Sequence, residues 1–360
     1  MIKFRLSIVS FALVVFLNAC QAQQFNLLKS SDKRIHYTGR VALTDTAAVL
    51  SWTGNSATIS FNGTSAKAIL KDETGENNFN VIIDNKVTDV IHPDKEQKEY
   101  TLASNLKPGK HTLQLFKRTE WAMGKTWFYG FKLDGDKVYT TPPKKRKIEF
   151  FGNSITCGYA VEDSTGQDRG TAQFENGYIS YAAITARHFD AEYYCTAKSG
   201  IGITISWFPL VMPEMYDRLD ATNPNSKWDF NKYIPDLVVI NLLQNDSWLT
   251  LNTQHPEYKK RFGDKAPTPE FIISAYRDFV KSVRSKYPKA QIICALGNMD
   301  ATKTGSPWPG YIEKAVASLN DKAIYMHFFP YKNTSGHPNP KEQQVMADDL
   351  IRFIDEKVKW

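Results

Sequence analysis

Four residues far apart along this chain have the types that an acyl-transfer site would need. They are Ser154 in FFGNSITCGYA, Gly200 in AKSGIG, Asn245 in NLLQNDSW and His337 in NTSGHPNP. Such a site requires a nucleophile, a base within hydrogen-bond reach of it, and donors aimed at the oxygen that becomes charged. A serine can be the nucleophile, a histidine the base, and a backbone N–H with a carboxamide the donors. Each residue also has a plainer reading. A serine after Gly152-Asn153 is ordinary turn chemistry, Gly200 suits a turn that needs positive φ, and Asn245-Asp246 can open a loop. His-Pro occurs at His92, His255 and His337, so the dipeptide alone marks nothing. His92 falls among short β-like runs and His327 inside an apolar run. Only His337 sits in a final strand-to-helix turn. His255 and Trp248 lie just beyond Asn245, where they could touch a substrate. An indole there offers a rigid apolar face for stacking on a sugar, and core packing is its other reading.

These residues need elements that end near one another. IEFF, just before Ser154, has strand composition, and a strand ending in Gly-polar-Ser presents a hydroxyl at the carboxyl edge of a parallel sheet. From residue 145 onward, KIEFFG, AEYYCT, DLVVINL, AQIICAL and AIYMHFF are near-continuous apolar runs suited to a sheet buried on both faces. Helical periodicity lies between them, in YISYAAITARHF, PEFIISAYRDFVKSVRSKY, PGYIEKAVASL and PKEQQVMADDLIRFIDEKV, the last with Pro340 in its first turn. This alternation predicts a three-layer α/β/α domain with a five-stranded parallel sheet over 145–360. Each of the four residues then follows a strand. Before it, over 21–140, AAVLSW, ATISF, AKAIL, NFNVIID, KEYTL, HTLQLFKR and FYGFKLDG are separated by Gly, Asn and Pro breaks, which predicts an antiparallel all-β sandwich. QAQQFNLLKSSD reads as a tether ahead of it. TTPPKKRK, with two prolines and no apolar period, reads as the boundary.

The 360 residues are enough for two domains, and 42% apolar with 23% charged residues is a globular composition. The formal charge is +7, two of it from Lys3 and Arg5 in the first segment. The one dense basic run, Lys144 to Lys147, lies at the domain boundary without interleaved aromatics, so no nucleic-acid partner is expected. Residues 1–20 read as an export signal: basic residues, then an apolar core too short to span a membrane. Leu17-Asn18-Ala19-Cys20 resembles the bacterial lipobox, with Cys20 as the lipidated residue. This implies a lipid anchor in the cell envelope. No acidic cluster follows Cys20, which favours a periplasm-facing anchor over surface display. Cys157, Cys195 and Cys294 remain, an odd number without metal-like spacing, so neither a disulfide framework nor a metal site is expected.

With these motifs in place, the α/β part resembles the SGNH (GDSL) hydrolases, whose signature Ser, Gly, Asn and His occur in this order. Ser154, Gly200, Asn245 and His337 match one for one. The whole chain resembles carbohydrate esterase family 2, which joins a β jelly-roll domain to an SGNH domain. GNSITCGYA is similar to its nucleophile segment and MPEMYDR (Met212 to Arg218) to the helix after its Gly block. NNFNVIIDNK and LKPGKHTLQLFKRTE are similar to parts of its jelly roll. Three positions depart from the pattern. Asn153 stands where members carry Asp, and its side chain can keep a turn-stabilising bond. Leu243 stands where a Gly is usual, implying a differently shaped pocket wall. Thr334 stands where an Asp normally lies, three residues before the histidine.

The resemblance implies a serine esterase that removes O-acetyl groups from plant polysaccharide or its oligosaccharides, of the acetyl xylan or glucomannan type. It implies Ser154 and His337 as the reacting pair. Ser154, Gly200 and Asn245 would form the oxyanion hole. No metal or organic cofactor is implied, and a monomer is expected. With Thr334 uncharged, the expectation is a Ser–His dyad, its imidazole oriented by a main-chain carbonyl or another neutral group. A distant carboxylate is the competing arrangement. An inactive, lipid-anchored glycan-binding protein and an esterase for another acyl group are the alternative functions.

Overall fold

The computed structural model describes residues 24–360, so the export segment and Cys20 lie outside the described residues. Two six-stranded antiparallel sheets pack face to face between Asn26 and Tyr139. The seven expected strands are present, including Ser56–Asn62, Ala66–Asp72, Phe79–Ile83, Lys110–Lys117 and Thr126–Leu133. Their inward positions (Ile59, Phe61, Leu70, Val81, Leu113, Leu115, Phe128 and Phe131) are fully buried between the sheets. Full burial of a large apolar side chain is worth roughly 1.5–3 kcal/mol, so this layer is ample reason for the alternation.

One expectation fails here. Asn26–Lys29, inside the segment read as a tether, is a strand whose residues pair with Gly130 to Leu133. Gly130 permits it: φ is +146°, and a Cβ there would lie 2.2 Å from the Leu28 carbonyl oxygen. A glycine inside a strand marks such a close backbone approach.

Tyr139 ends the last sandwich strand, and Arg146 begins the first strand of a parallel sheet. In spatial order that sheet is Ala191–Ala197, Arg146–Gly152, Leu237–Asn241, Gln291–Leu296 and Ile324–Phe328. Tyr181–His188 and Pro340–Lys357 cover one face; Pro269–Lys286 and Trp308–Ala317 cover the other. The helix starts are well specified. Thr268 and Asn339 cap their helices through side-chain oxygens, each followed by Pro at the first helical position. The first strand lies between the second and the third, so the crossovers leave it in opposite directions. Their divergence opens a crevice at its carboxyl end, where sheets of this kind bind ligands.

The sandwich is joined to this domain by buried polar contacts. Arg40, only 1% exposed at its side chain, pairs with Glu149 at 2.8 Å and donates to the carbonyls of Tyr216 and Arg218. The Trp52 indole donates to the Leu219 carbonyl at 2.8 Å, and its ring is part of the α/β core.

Candidate active site

Ser154 begins a one-turn helix, Ser154–Cys157, directly after the first parallel strand. Asn153 caps it, its side-chain oxygen accepting from Ile155 N–H at 3.1 Å, so the amide keeps the bond expected of the usual Asp. Gly152 is required by packing, because a Cβ there would lie 2.0 Å from the Thr156 hydroxyl oxygen. The turn therefore closes tightly on the strand end and leaves Ser154 only 6% exposed.

His337 lies in the loop between the last strand and the Asn339-capped helix. Its Nε2 is 2.8 Å from Ser154 Oγ. Its Nδ1 lies 2.9 and 2.8 Å from the two carboxylate oxygens of Asp168, and its backbone N–H donates to Asp168 Oδ1 at 2.8 Å. The expected dyad is therefore corrected: the imidazole is oriented by a carboxylate, which comes from the loop between the first and second strands. The Tyr159 ring packs on the other side of the imidazole, with centroids 4.5 Å apart. Partial burial pushes the Asp168 carboxyl up, but the His337 hydrogen bond and charge, with Lys332 beyond, outweigh it and hold it below its ordinary value. Asp168 is thus an anion at neutral pH.

Thr334 has a different task. Its hydroxyl donates to Glu342 Oε1 and accepts from Lys332 Nζ, and the same ammonium donates to the Thr334 and Ser335 carbonyls. The position that carries an acid in the family pattern here braces the loop against the terminal helix.

Gly200 follows the second strand and Asn245 the third, the two strands that flank Ser154's. Gly200 has φ +80°, and a Cβ would press on Trp207 and Phe208 at 3.1–3.4 Å. Asn245 is in the first turn of Gln244–Leu249 and 3% exposed. Its Nδ2 donates to the Ile201 carbonyl at 2.8 Å and its Oδ1 accepts from the Trp207 indole at 3.1 Å. Asp246, beside it, is fully buried and accepts from the N–H groups of Ile203 and Thr204 and from the Thr204 hydroxyl. Burial pushes its carboxyl above the usual value against the pull of those bonds. Leu243 takes φ +76° with its side chain fully buried in the core. It is therefore not a pocket wall; it holds a backbone shape that suits Gly at a cost of about 1–3 kcal/mol.

The two proposed substrate contacts are placed differently from one another. The Trp248 indole donates to Asp300 Oδ2 at 2.9 Å, and its half-buried ring packs on the core. His255 caps Pro256–Phe262 through Nδ1, and its ring stands edge-on to Trp207 at 5.3 Å between centroids. Trp207 is 48% exposed beside Gly200 and was not singled out by sequence. Its signal, an aromatic six residues after the turn glycine's neighbour, is too weak to read alone. Asp168 and Asp246 were missed for the same reason: each lies in a stretch without apolar period. Among the described residues, no cluster of His, Cys, Asp or Glu could hold a metal ion.

Fold and site define a three-layer α/β domain carrying a serine–histidine–carboxylate arrangement, with a β-sandwich ahead of it. Comparison with known families agrees. Residues 37–143 match the carbohydrate esterase 2 N-terminal domain, and residues 150–342 match the GDSL-like lipase/acylhydrolase family. A solved family two carbohydrate esterase from Clostridium thermocellum, in complex with cellohexaose, is 33% identical with a TM-score of 0.80, over 90% of this chain and 98% of that one. The cellulase/esterase CelE of Acetivibrio thermocellus is 34% identical over 91% of this chain. An acetylxylan esterase/glucomannan deacetylase of Cellvibrio japonicus is 25% identical over 96% of both chains. The chain belongs to the GDSL-like lipase/acylhydrolase family and, with its sandwich domain, to the family 2 carbohydrate esterases. It spans 40% of the length of CelE.

Proposed function

We propose that the chain is a serine esterase that removes O-acetyl groups from polysaccharide or oligosaccharide, and that it acts as a monomer. The observation that carries this reading is the unbroken hydrogen-bonded series from Ser154 Oγ through His337 to Asp168. His337 Nε2 takes the Ser154 proton as Oγ attacks the acetyl carbonyl. Asp168 holds the other ring nitrogen as N–H and stabilises the imidazolium that forms. The tetrahedral oxyanion is held by the N–H groups of Ser154 and Gly200 and by the second N–H of the Asn245 amide. One such donor is worth roughly 3–4 kcal/mol of barrier. His337 then protonates the departing sugar oxygen, and water repeats the sequence on the acetyl-enzyme. Trp207, whose indole bonds Asn245, with His255 edge-on to it, and Trp248 are the surfaces on which a sugar chain would rest.

Acetate release tests the reading. The protein is expected to turn over a chromogenic acetyl ester and to release acetate from acetylated xylan or glucomannan. Folded protein active on neither would favour the glycan-binding alternative. Preference for longer acyl chains would replace acetyl with another group. For location, we propose a periplasm-facing lipid anchor at Cys20. Labelled fatty acid should appear on the wild type and be absent from Cys20→Ser; absence from both would reduce the segment to a plain signal peptide.

A further inference from the structure

The loop that carries Asp168 is held from within by polar contacts alone. Between Glu162 and Phe174 most residues are exposed or half-buried, and no apolar side chain is fully buried. Its neck closes with Glu162 N–H donating to the Phe174 carbonyl at 3.0 Å. Its tip is held by Asp163, which takes a forked pair from Arg169 and the Thr165 hydroxyl. Asp168 itself has φ +58°, a left-handed conformation that aspartate and asparagine adopt more readily than other non-glycine residues. An exposed loop with few buried contacts opens easily, and a triad acid must be placed to better than an ångström.

A second set of contacts, on the two arms of the loop, comes from the other domain. Arg118, at the end of the sandwich strand Lys110–Lys117, places its buried guanidinium against the Glu162 carboxylate. The second Glu162 oxygen accepts from Asn176 Nδ2 at 2.7 Å, fixing the returning arm of the loop. The Arg118 carbonyl accepts from Gly177 N–H at 2.8 Å. Asn78 donates through Nδ2 to the Ala172 carbonyl at 2.7 Å, and its own Oδ1 is held by His92 Nδ1. Arg118 N–H also donates to the Asn78 carbonyl at 2.9 Å, so the two anchors are tied to each other.

We infer that the β-sandwich completes the active site of the neighbouring domain: Arg118 and Asn78 are positioning residues that hold the Asp168 loop in register with His337. This rests on the reading of Ser154, His337 and Asp168 as a working triad. The sandwich then has a role in the chemical step and is more than a place for glycan to bind.

The test is a double-mutant cycle in the full-length protein. In the wild-type background Arg118→Ala should lower kcat on an aryl acetate by on the order of 10²-fold, the loss typical of misplacing a group by an ångström, with KM little moved. In the Asp168→Ala background, where no group is left for the loop to position, the same change should cost less than about threefold. Arg118→Lys should restore part of the activity, and the deshielded Nδ1 proton of His337 should move in Arg118→Ala and return in the lysine variant. Equal losses in both backgrounds would overturn the clamp while leaving the triad intact. An Asp168→Asn protein as active as wild type would overturn the triad itself. Should Arg118→Ala fail to fold, Asn78→Ala carries the same cycle, since it removes one hydrogen bond at the domain boundary.

Discussion

Ser154→Ala is expected to fold normally and to lose activity on aryl and glycan acetates by on the order of 10⁶-fold, the scale seen when a hydrolase loses its nucleophile. The two halves of this expectation have separate reasons. The fold survives because the cap of the short helix is Asn153, which the substitution leaves in place, and the Ser154 hydroxyl bonds to the His337 side chain. Alanine also favours the first turn of a helix. Activity fails because, among the described residues, Ser154 carries the hydroxyl that is hydrogen-bonded to His337 Nε2. Thr156, the nearest candidate in sequence, is fully buried with its hydroxyl bonded to Tyr181 at 3.0 Å. Residual turnover of about 10³–10⁴ over water would come from the oxyanion donors and binding alone. The measurement is kcat with thermal unfolding on the same sample. A variant that melts like wild type and retains a tenth of its activity would remove Ser154 from the mechanism.

The elements were legible wherever burial wrote a period into the chain. Leu237–Asn241 is buried at every position and reads as a nearly continuous apolar run, and Ser56–Asn62 alternates in sequence, with Ala57, Ile59 and Phe61 fully buried. Strands without that imprint were not seen. Lys86–Ile91 is exposed at its first four positions, and Asn26–Lys29 at three of its four; both exist because a neighbouring strand offers hydrogen bonds, which leaves no apolar pattern. The site follows the same division. Ser154, Gly200, Asn245 and His337 could be found because each lies in a segment that follows a strand of the parallel sheet. Asp168 lies in a polar loop whose shape is set by Asp163, Glu162 and contacts from the other domain, and nothing local in TGQDRGT distinguishes it from Asp163. The family pattern pointed instead to Thr334, which the fold uses as a brace.

Asp168→Asn is expected to lower kcat by about 10⁴, the loss that follows when an amide imposes the wrong imidazole tautomer. The geometry says why the amide would do so here. Asp168 Oδ1 already accepts from the His337 backbone N–H at 2.8 Å and lies 2.9 Å from Nδ1, while Oδ2 lies 2.8 Å from Nδ1. An asparagine will keep its oxygen on the backbone N–H, since reversing it would set two donors against each other. That leaves the NH₂ group facing Nδ1, where it donates to the ring and drives the proton to Nε2. An Nε2 that carries a proton cannot take one from Ser154 Oγ. Asp168→Ala imposes no tautomer, so it should lose less than Asp168→Asn despite being the larger truncation. KM for an aryl acetate should change little in either, because Asp168 acts through His337 and not on the substrate. There is also a stability signature. A carboxyl held below its ordinary value of 3.8 stabilises the fold above that value and loses the contribution as pH falls through the lower, folded-state value. Wild-type stability should therefore fall more steeply below about pH 4 than that of Asp168→Asn, whose amide does not titrate. If Asp168→Asn instead keeps kcat within tenfold of wild type, His337 needs no carboxylate, and the neutral dyad expected from Thr334 would be the working mechanism after all.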